Sequence, residues 1–264
     1  MKQSGFLEPK FDERDYRADA LGAAPQLKGE PLASDGQWWE FLPEEEKQVV
    51  PNFDTFSCVS FGTSNCIEIL FAKVFLLSKN FSDRFIAIIS DTQPEGNDPK
   101  KVIDSIRKQG LVKEESLPLL DSLKSQAEYL QPNPPTPELT AEGKAFLAEH
   151  GIGYAWVGND IESIKNALRY SPLGVSVPAW FDNNGRYYFP EGVAPNHWTA
   201  LVGYKEGEYW IVFDSYAPHL KQIAWDSKFK YIMRYWLGAG QKEQISILQK
   251  IVALYKKILA LLGL

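Results

Sequence analysis

The stretch Val50-Pro51-Asn52-Phe53-Asp54-Thr55-Phe56-Ser57-Cys58-Val59-Ser60-Phe61-Gly62 decides how the chain is read. A turn-rich run ends at Ser57, whose hydroxyl can accept a bond from a free first-turn N–H and so marks a helix start. From Cys58 to about Asn80 the residues are mostly apolar or small, among them Val59, Gly62, Cys66, Ile67, Leu70, Phe71, Val74 and Leu77. A helix apolar around most of its circumference belongs inside a protein. Cys58 therefore stands at the first turn of a buried helix, beside unpaired N–H groups and the positive end of the helix dipole, a setting suited to a nucleophilic sulfur. The plainer alternative is a Cys used as a small hydrophobe.

The 264 residues, 44% hydrophobic and 23% charged, have a soluble globular balance with room for one two-lobed domain or two small ones. A net charge of −6 argues against nucleic acid as a main partner. Cys58 and Cys66 lie on one predicted helix, about 12 Å apart at 1.5 Å rise per residue, too far to bridge. Without a disulfide framework the expected compartment is reducing, or the fold needs no staples. Met1 to Phe6 carry no signal-peptide core, and no apolar run reads as long enough to span a membrane. The expected setting is the cytoplasm or a viral particle.

Working outward, residues 1–36 are polar and irregular and read as an N-terminal arm over the surface, with a propeptide as an alternative. Trp38-Trp39-Glu40-Phe41 is the first anchor to a core. Ser82 to Phe85 opens a short second helix. Asp98 caps a third that has Pro99 at its first position and Gly110 at its end. Residues 131–137 form a stiff Pro-rich connector near the lobe boundary. Helices follow at Thr140–His150 and Asp160–Tyr170. Strands are predicted at Ile152–Val157, Leu173–Trp180, Trp198–Tyr204, Tyr209–Asp214 and Tyr231–Leu237. Helices first and strands later give an α+β fold with segregated lobes. Gly238-Ala239-Gly240 reads as a hinge before an amphipathic helix over Lys242–Leu264. Two adjacent apolar stripes on that helix suit docking on the parent domain, self-association, a partner protein or a membrane surface.

A thiol nucleophile needs a base, and the base needs an orienting group. Of three histidines, His150 sits at a helix end and His219 in a Pro-containing loop. His197 opens a predicted strand, 139 residues after Cys58, and Asp214 ends the next strand of a hairpin. Antiparallel pairing brings the start of one strand to the end of its partner, so His197 and Asp214 are expected neighbours.

With these residues in place the chain resembles the papain-like (C1-type) cysteine peptidases, in which a Cys opens a buried helix and a His and an Asn follow on a β lobe. The matching blocks run in order over about residues 37–237: Ser57-Cys58, Gly96-Asn97, Gly110-Leu111-Val112, Pro172-Leu173-Gly174-Val175-Ser176-Val177, Asn196-His197 with Val202-Gly203-Tyr204, and Tyr209-Trp210 with Asp214-Ser215-Tyr216. The resemblance implies a helical lobe at 37–128, a β-rich lobe at 129–237, an active site between them, and a tail at 238–264. It implies thiol-dependent hydrolysis of a peptide or protein substrate with no metal or organic cofactor. Cys58 would be the nucleophile, His197 the proton carrier and Asp214 the orienting group where the family has Asn. Asn52, six residues before Cys58, would stand for the oxyanion-hole Gln. Gly96 and Asn97 would pair with the substrate backbone, beside Trp198 and Tyr216.

The departures point to a divergent bacterial or viral branch. Asn52 is one methylene shorter than Gln, Val59 replaces a Trp, Trp198 replaces a small residue, Tyr216 replaces a Trp, and the family's disulfides are missing. Two alternatives stay open: a catalytically dead papain-like binding module in a larger assembly, and a cell-wall peptide amidase.

Overall fold

The computed structural model describes residues 5–10, 15 and 30–240. The predicted C-terminal helix over 242–264 and most of the arm before residue 30 lie outside the described residues. A small hairpin, β1 (Val49–Val50) and β2 (Phe53–Asp54), precedes helix α1 (Cys58–Phe75). Helices α2 (Asp83–Ile89), α3 (Pro99–Gln109), α4 (Gln126–Tyr129) and α5 (Pro137–Glu149) follow, then strand β3 (His150–Trp156) and helix α6 (Ile161–Leu168). The rest is strand: β4 (Leu173–Val177), β5 (Phe181–Asn183), β6 (Arg186–Tyr188), β7 (His197–Lys205), β8 (Tyr209–Phe213), β9 (Leu220–Ala224) and β10 (Ile232–Ala239).

Strands β3 to β10 form one eight-stranded sheet in the order β3-β10-β4-β7-β8-β9-β6-β5, antiparallel except between β6 and β9. The fold is α+β, a helical part against a large, mostly antiparallel sheet. Helix α1 is the seam between them, packed on α2 and α3 on one side and on β4, β7 and β10 on the other. That double burial explains its unbroken apolar and small composition: every residue from Cys58 to Phe71 is buried. By length and composition α1 is apolar enough to cross a membrane, which corrects the sequence reading, but 78% of that window is buried in the fold.

Gly62 sets how close α1 comes to the sheet. A Cβ placed there would lie 2.9 Å from Trp198 Cδ1 and 3.1 Å from Thr199 Cα. Residues four apart share a helix face, so Cys58 is held on the side that meets β7.

Several sequence expectations are corrected. Helix α1 stops at Leu76, which adopts left-handed backbone, and not near Asn80. Ser57 occupies the N-cap position, but its hydroxyl donates to the Thr55 carbonyl and caps nothing. By contrast Ser82, Asp98 and Asp160 do cap α2, α3 and α6 through their side chains. Gly238 and Ala239 are not a hinge: they extend β10, paired with Gly151 and His150. The strand predicted to reach Trp180 ends at Val177, and β1, β2, β5, β6 and β9 were not anticipated.

The helical part buries carboxyl groups. Glu68 on α1 accepts from Phe81 N–H and from the Ser64 hydroxyl. Burial, helped by nearby Glu46, pushes its pKa up to about 8, and burial pushes Glu114 up to about 7. A raised carboxyl pKa means that the folded state holds a proton the unfolded chain releases. Its contribution to stability is therefore present below about 4.5 and is lost as pH rises toward about 8.

Two measurements follow from this packing. Gly62→Ala should lower stability by about 1–3 kcal/mol, because Trp198 and the β7 backbone must give way, and denaturant unfolding reads this directly. Glu68→Gln, which keeps the acceptor for Phe81 N–H, should raise the melting temperature at pH 8 by roughly 4–8 °C, about 2 kcal/mol for a chain of this size, and change it little at pH 5.

Candidate active site

Strands β7 and β8 are joined by a tight turn in which Glu208 N–H donates to the Lys205 carbonyl. Pairing of Ala200 with Phe213 leaves His197 and Asp214 together just beyond the open end of the ladder, opposite the turn. The two side chains meet: His197 Nε2 lies 2.5 Å from Asp214 Oδ1. Cys58, the first residue of α1, is the other neighbour that acts on the ring. Burial alone would lower the His197 pKa, but the charges of Asp214 and Cys58 outweigh it and raise it to about 10. With Nε2 given to Asp214, Nδ1 has no hydrogen-bond partner of good geometry, so it is the ring atom left for chemistry. The ring is held between Trp180, at 5.5 Å, and Tyr216, at 5.1 Å. Cys58 and His197 have no exposed surface.

Asp214 is as fully engaged as the histidine. Its Oδ2 accepts from Lys221 Nζ at 2.7 Å and from Tyr216 N–H at 3.3 Å. Its backbone carbonyl accepts from His219 Nδ1 at 2.6 Å, and its N–H donates to the His219 carbonyl. Burial opposes ionisation of Asp214, yet His197 and Lys221 together hold its pKa below the ordinary carboxylate value. Nε2 of His197 is therefore the donor in the short bond.

Asn52 is not brought to this centre. It sits exposed at the turn of the β1–β2 hairpin, and its amide donates to the carbonyls of Leu123 and Asp121. The hairpin lengthens the segment before Cys58, so counting six residues back lands on its tip. The amide at its base is Gln48, which is fully buried. Gln48 Nε2 donates to Asp54 Oδ1 and Tyr216 Oη, and Gln48 Oε1 accepts from the Ser215 hydroxyl. Tyr216 Oη in turn donates to Asp54 Oδ2 at 2.5 Å. Beside this network a cleft of about 630 Å³ is lined by the β1–β2 hairpin, Ala179, Trp180 and Tyr216.

Asn97 pairs with backbone, and the partner is the chain's own arm, whereas Gly96 spends both its backbone groups on Gln93. Asn97 N–H donates to the Gly5 carbonyl and the Asn97 carbonyl accepts from Leu7 N–H, a parallel pairing, while Phe6 N–H donates to the Asn196 carbonyl. The Asn97 side chain is buried and donates to Ser90 and Thr92. Phe6 stacks on Trp198 with ring centroids 5.8 Å apart and packs on Tyr231. Trp198 is thus a buried floor and not an exposed contact. Gly5 runs so close to Phe56 that a Cβ would lie 2.0 Å from the Phe56 carbonyl oxygen. Among the described residues no group of three or more His, Cys, Asp or Glu side chains is placed to hold a metal ion.

Gln48 and Lys221 have no part in the sequence reading, and His219 figures there only as a loop residue. For Lys221 a signal was present: in Leu220-Lys221-Gln222-Ile223-Ala224 it alternates in phase with apolar Ile223. A Lys on the inward face of a strand requires a buried partner.

No protein-family model matches the chain, and no curated protein matches it. Solved structures do. The digestive procathepsin L 3 of Tenebrio molitor larval midgut matches over 88% of this chain and 76% of its own, at 15% identity and a TM-score of 0.59. A recombinant stem bromelain precursor matches over 75% and 68%, at 15% identity and 0.57. The bromelain protease of Ananas comosus in complex with the E64 inhibitor matches over 75% and 96%, at 17% identity and 0.56. At these identities the likeness fixes the fold, which is papain-like.

The arm gives this site its own test. Gly5→Ala has no space beside Phe56 and should release residues 5–7. Alkylation of Cys58 by a small thiol reagent should then quicken about tenfold, equivalent to some 1.4 kcal/mol in the balance between covered and open forms. An unchanged labelling rate in mass spectrometry would show that residues 5–7 do not control access.

Proposed function

We propose that the protein hydrolyses peptide bonds through an acyl-enzyme on Cys58. The observation that carries this is the two-sided engagement of His197: one ring nitrogen is fixed by a buried carboxylate, the other is unspent, and Cys58 at the start of α1 acts on the same ring. In this reading Cys58 Sγ attacks the peptide carbonyl carbon while His197 gives its proton to the leaving amine. The C–N bond breaks and a thioester remains. Water, giving a proton to His197, then attacks the thioester, the C–S bond breaks, and the thiol–imidazole pair is restored. The oxyanion would be met at the helix N-terminus, with Gln48 rather than Asn52 as the nearby side-chain amide.

A peptide as substrate is supported by the arm. Residues 5–7 are an extended segment whose backbone bonds to Asn97 on one side and Asn196 on the other, with Phe6 seated on Trp198. This is how a sheet edge or cleft takes up a strand without reading its whole sequence. Two of the solved neighbours are a procathepsin and a bromelain precursor. By the same reasoning the arm would be an occupant that must leave before substrate enters. The changes at Val59, Trp198 and Tyr216 support a divergent, bacterial or viral branch of such enzymes.

One observation favours a second reading, a binding module without turnover: both amide hydrogens of Gln48 are already given to Asp54 and Tyr216. An epoxysuccinyl peptide separates the two. The enzyme reading expects stoichiometric labelling of Cys58 with loss of hydrolysis, and none of Cys66, whose pKa burial pushes well above that of an ordinary thiol. It further expects Cys58→Ala to abolish turnover and Asp214→Ala to reduce kcat by at least about 10². Equal, slow labelling of both cysteines would favour the binding module.

A further inference from the structure

The site holds one charge more than its proposed chemistry calls for. Where the resembled enzymes carry a neutral amide, this chain carries Asp214, fully buried. An isolated buried carboxylate costs several kcal/mol, and protonating it would remove the acceptor that fixes His197. Lys221 is the counterpart. It is 2% exposed, and its ammonium donates to Asp214 Oδ2 at 2.7 Å, to the Pro218 carbonyl at 2.6 Å and to the Tyr216 carbonyl. All three ammonium hydrogens are thereby spent, and the side chain lies over the Trp180 ring at 4.8 Å. The residue comes from β9, paired with Val212 of β8, so the strand next to the hairpin supplies it.

We propose that Lys221 is a positioning residue of the Cys58–His197 centre, that it locks the Asp214 carboxylate and cancels its charge, and that Asp214 and Lys221 act as one unit equivalent to a neutral amide. The inference rests on the functional reading above. Lys221 touches no reacting atom; its effect passes through Asp214. The other groups facing the ring or its carboxylate are Cys58 from α1, Tyr216 and His219 from the loop after β8, and Tyr187 from β6, with Asp54 one bond further through Tyr216. Of these, Lys221 is the cation in direct contact with Asp214 besides His197.

The charges set the direction of each change. Removing Lys221 alone leaves an uncompensated anion on His197, which then holds its proton more tightly. Replacing Asp214 by Asn alone leaves a buried ammonium that drives the proton off. Removing both returns the ring to a neutral amide partner.

The test is a cycle of Lys221→Met, Asp214→Asn and the double variant in the full chain. His197 titration is followed by ring 15N resonances, and kcat and KM by a peptide substrate. Lys221→Met should raise the His197 midpoint by about one unit or more and lower kcat about tenfold with KM little changed, because a weaker acid protonates the leaving amine more slowly. Asp214→Asn should lower the midpoint and also lose activity. The double variant should bring the midpoint back toward that of the parent and recover most of the kcat lost in either single variant. A midpoint unmoved by Lys221→Met, or a double variant no better than the singles, would overturn the inference and leave Lys221 as a prop for the loop. Should Lys221→Met fail to fold, a folded double variant with a parent-like midpoint supports the unit, and an unfolded one overturns it. Should the parent hydrolyse nothing while the midpoints still move and revert, the functional reading fails and the coupling stands.

Discussion

The contact on which everything else depends is the approach of α1 to β7 at Gly62. A helix and a sheet ordinarily keep their backbones apart by the thickness of their side chains. Here the missing side chain lets Trp198 and the Thr199 backbone come up against the helix. Trp198 follows His197 in the chain, and Gly62 lies one turn after Cys58. The close approach of the two layers at Gly62 is therefore one turn from Cys58 on the helix and one residue from His197 on the strand. The same glycine that fixes the packing fixes the distance on which the proposed chemistry rests, and a layer spacing set by a larger residue would separate both pairs at once.

Polar groups are buried on both sides of that seam, and the fold answers them in two ways. In the helical part Glu68, Asp83 and Glu114 lie in apolar surroundings near one another, and burial raises all three pKa values. Protonation is the response there, and it makes stability sensitive to pH. Beside the sheet the response is charge pairing: Asp214 stays ionised because His197 and Lys221 supply the opposite sign and the hydrogen bonds. Pairing costs more to assemble than protonation, since each member must be placed to within a bond length. It preserves what protonation would destroy, a carboxylate able to orient an imidazole.

The sequence disclosed those parts of the structure that local pattern controls. The apolar run after Cys58, the caps at Ser82 and Asp98, the helix start at Asp160, and the hairpin that joins His197 to Asp214 each depend on residues close along the chain, and each stands in the structure. What it does not disclose depends on pairing, near or far along the chain, that composition does not mark. Gly238 and Ala239 look like a hinge in isolation and become strand because Gly151 and His150 lie alongside. Asn52 stands six residues before Cys58, but a four-residue ladder between Val49 and Asp54 makes that spacing meaningless. The three-residue strands β5 and β6 are too short for alternation to stand out, whereas β9 does alternate and carries Lys221 on its inward face.

The arm shows why a cleft of this kind can be both specific and general. Its hydrogen bonds to Asn97 and Asn196 use backbone only, so any residue other than proline can make them. Selection falls instead on two places where side chains meet: Phe6 over Trp198 and Tyr231, and Glu8 on Lys230 and Tyr231. The first buries an aromatic ring on an aromatic floor, and the second is an exposed ion pair, worth little in water. Hold on the arm therefore comes chiefly from strand pairing and one ring. An arm held this way can be strong enough to stay paired in the folded chain and weak enough to be displaced by another extended segment offering the same backbone and a better side chain. The parallel direction of the pairing separates the arm from a peptide running the other way.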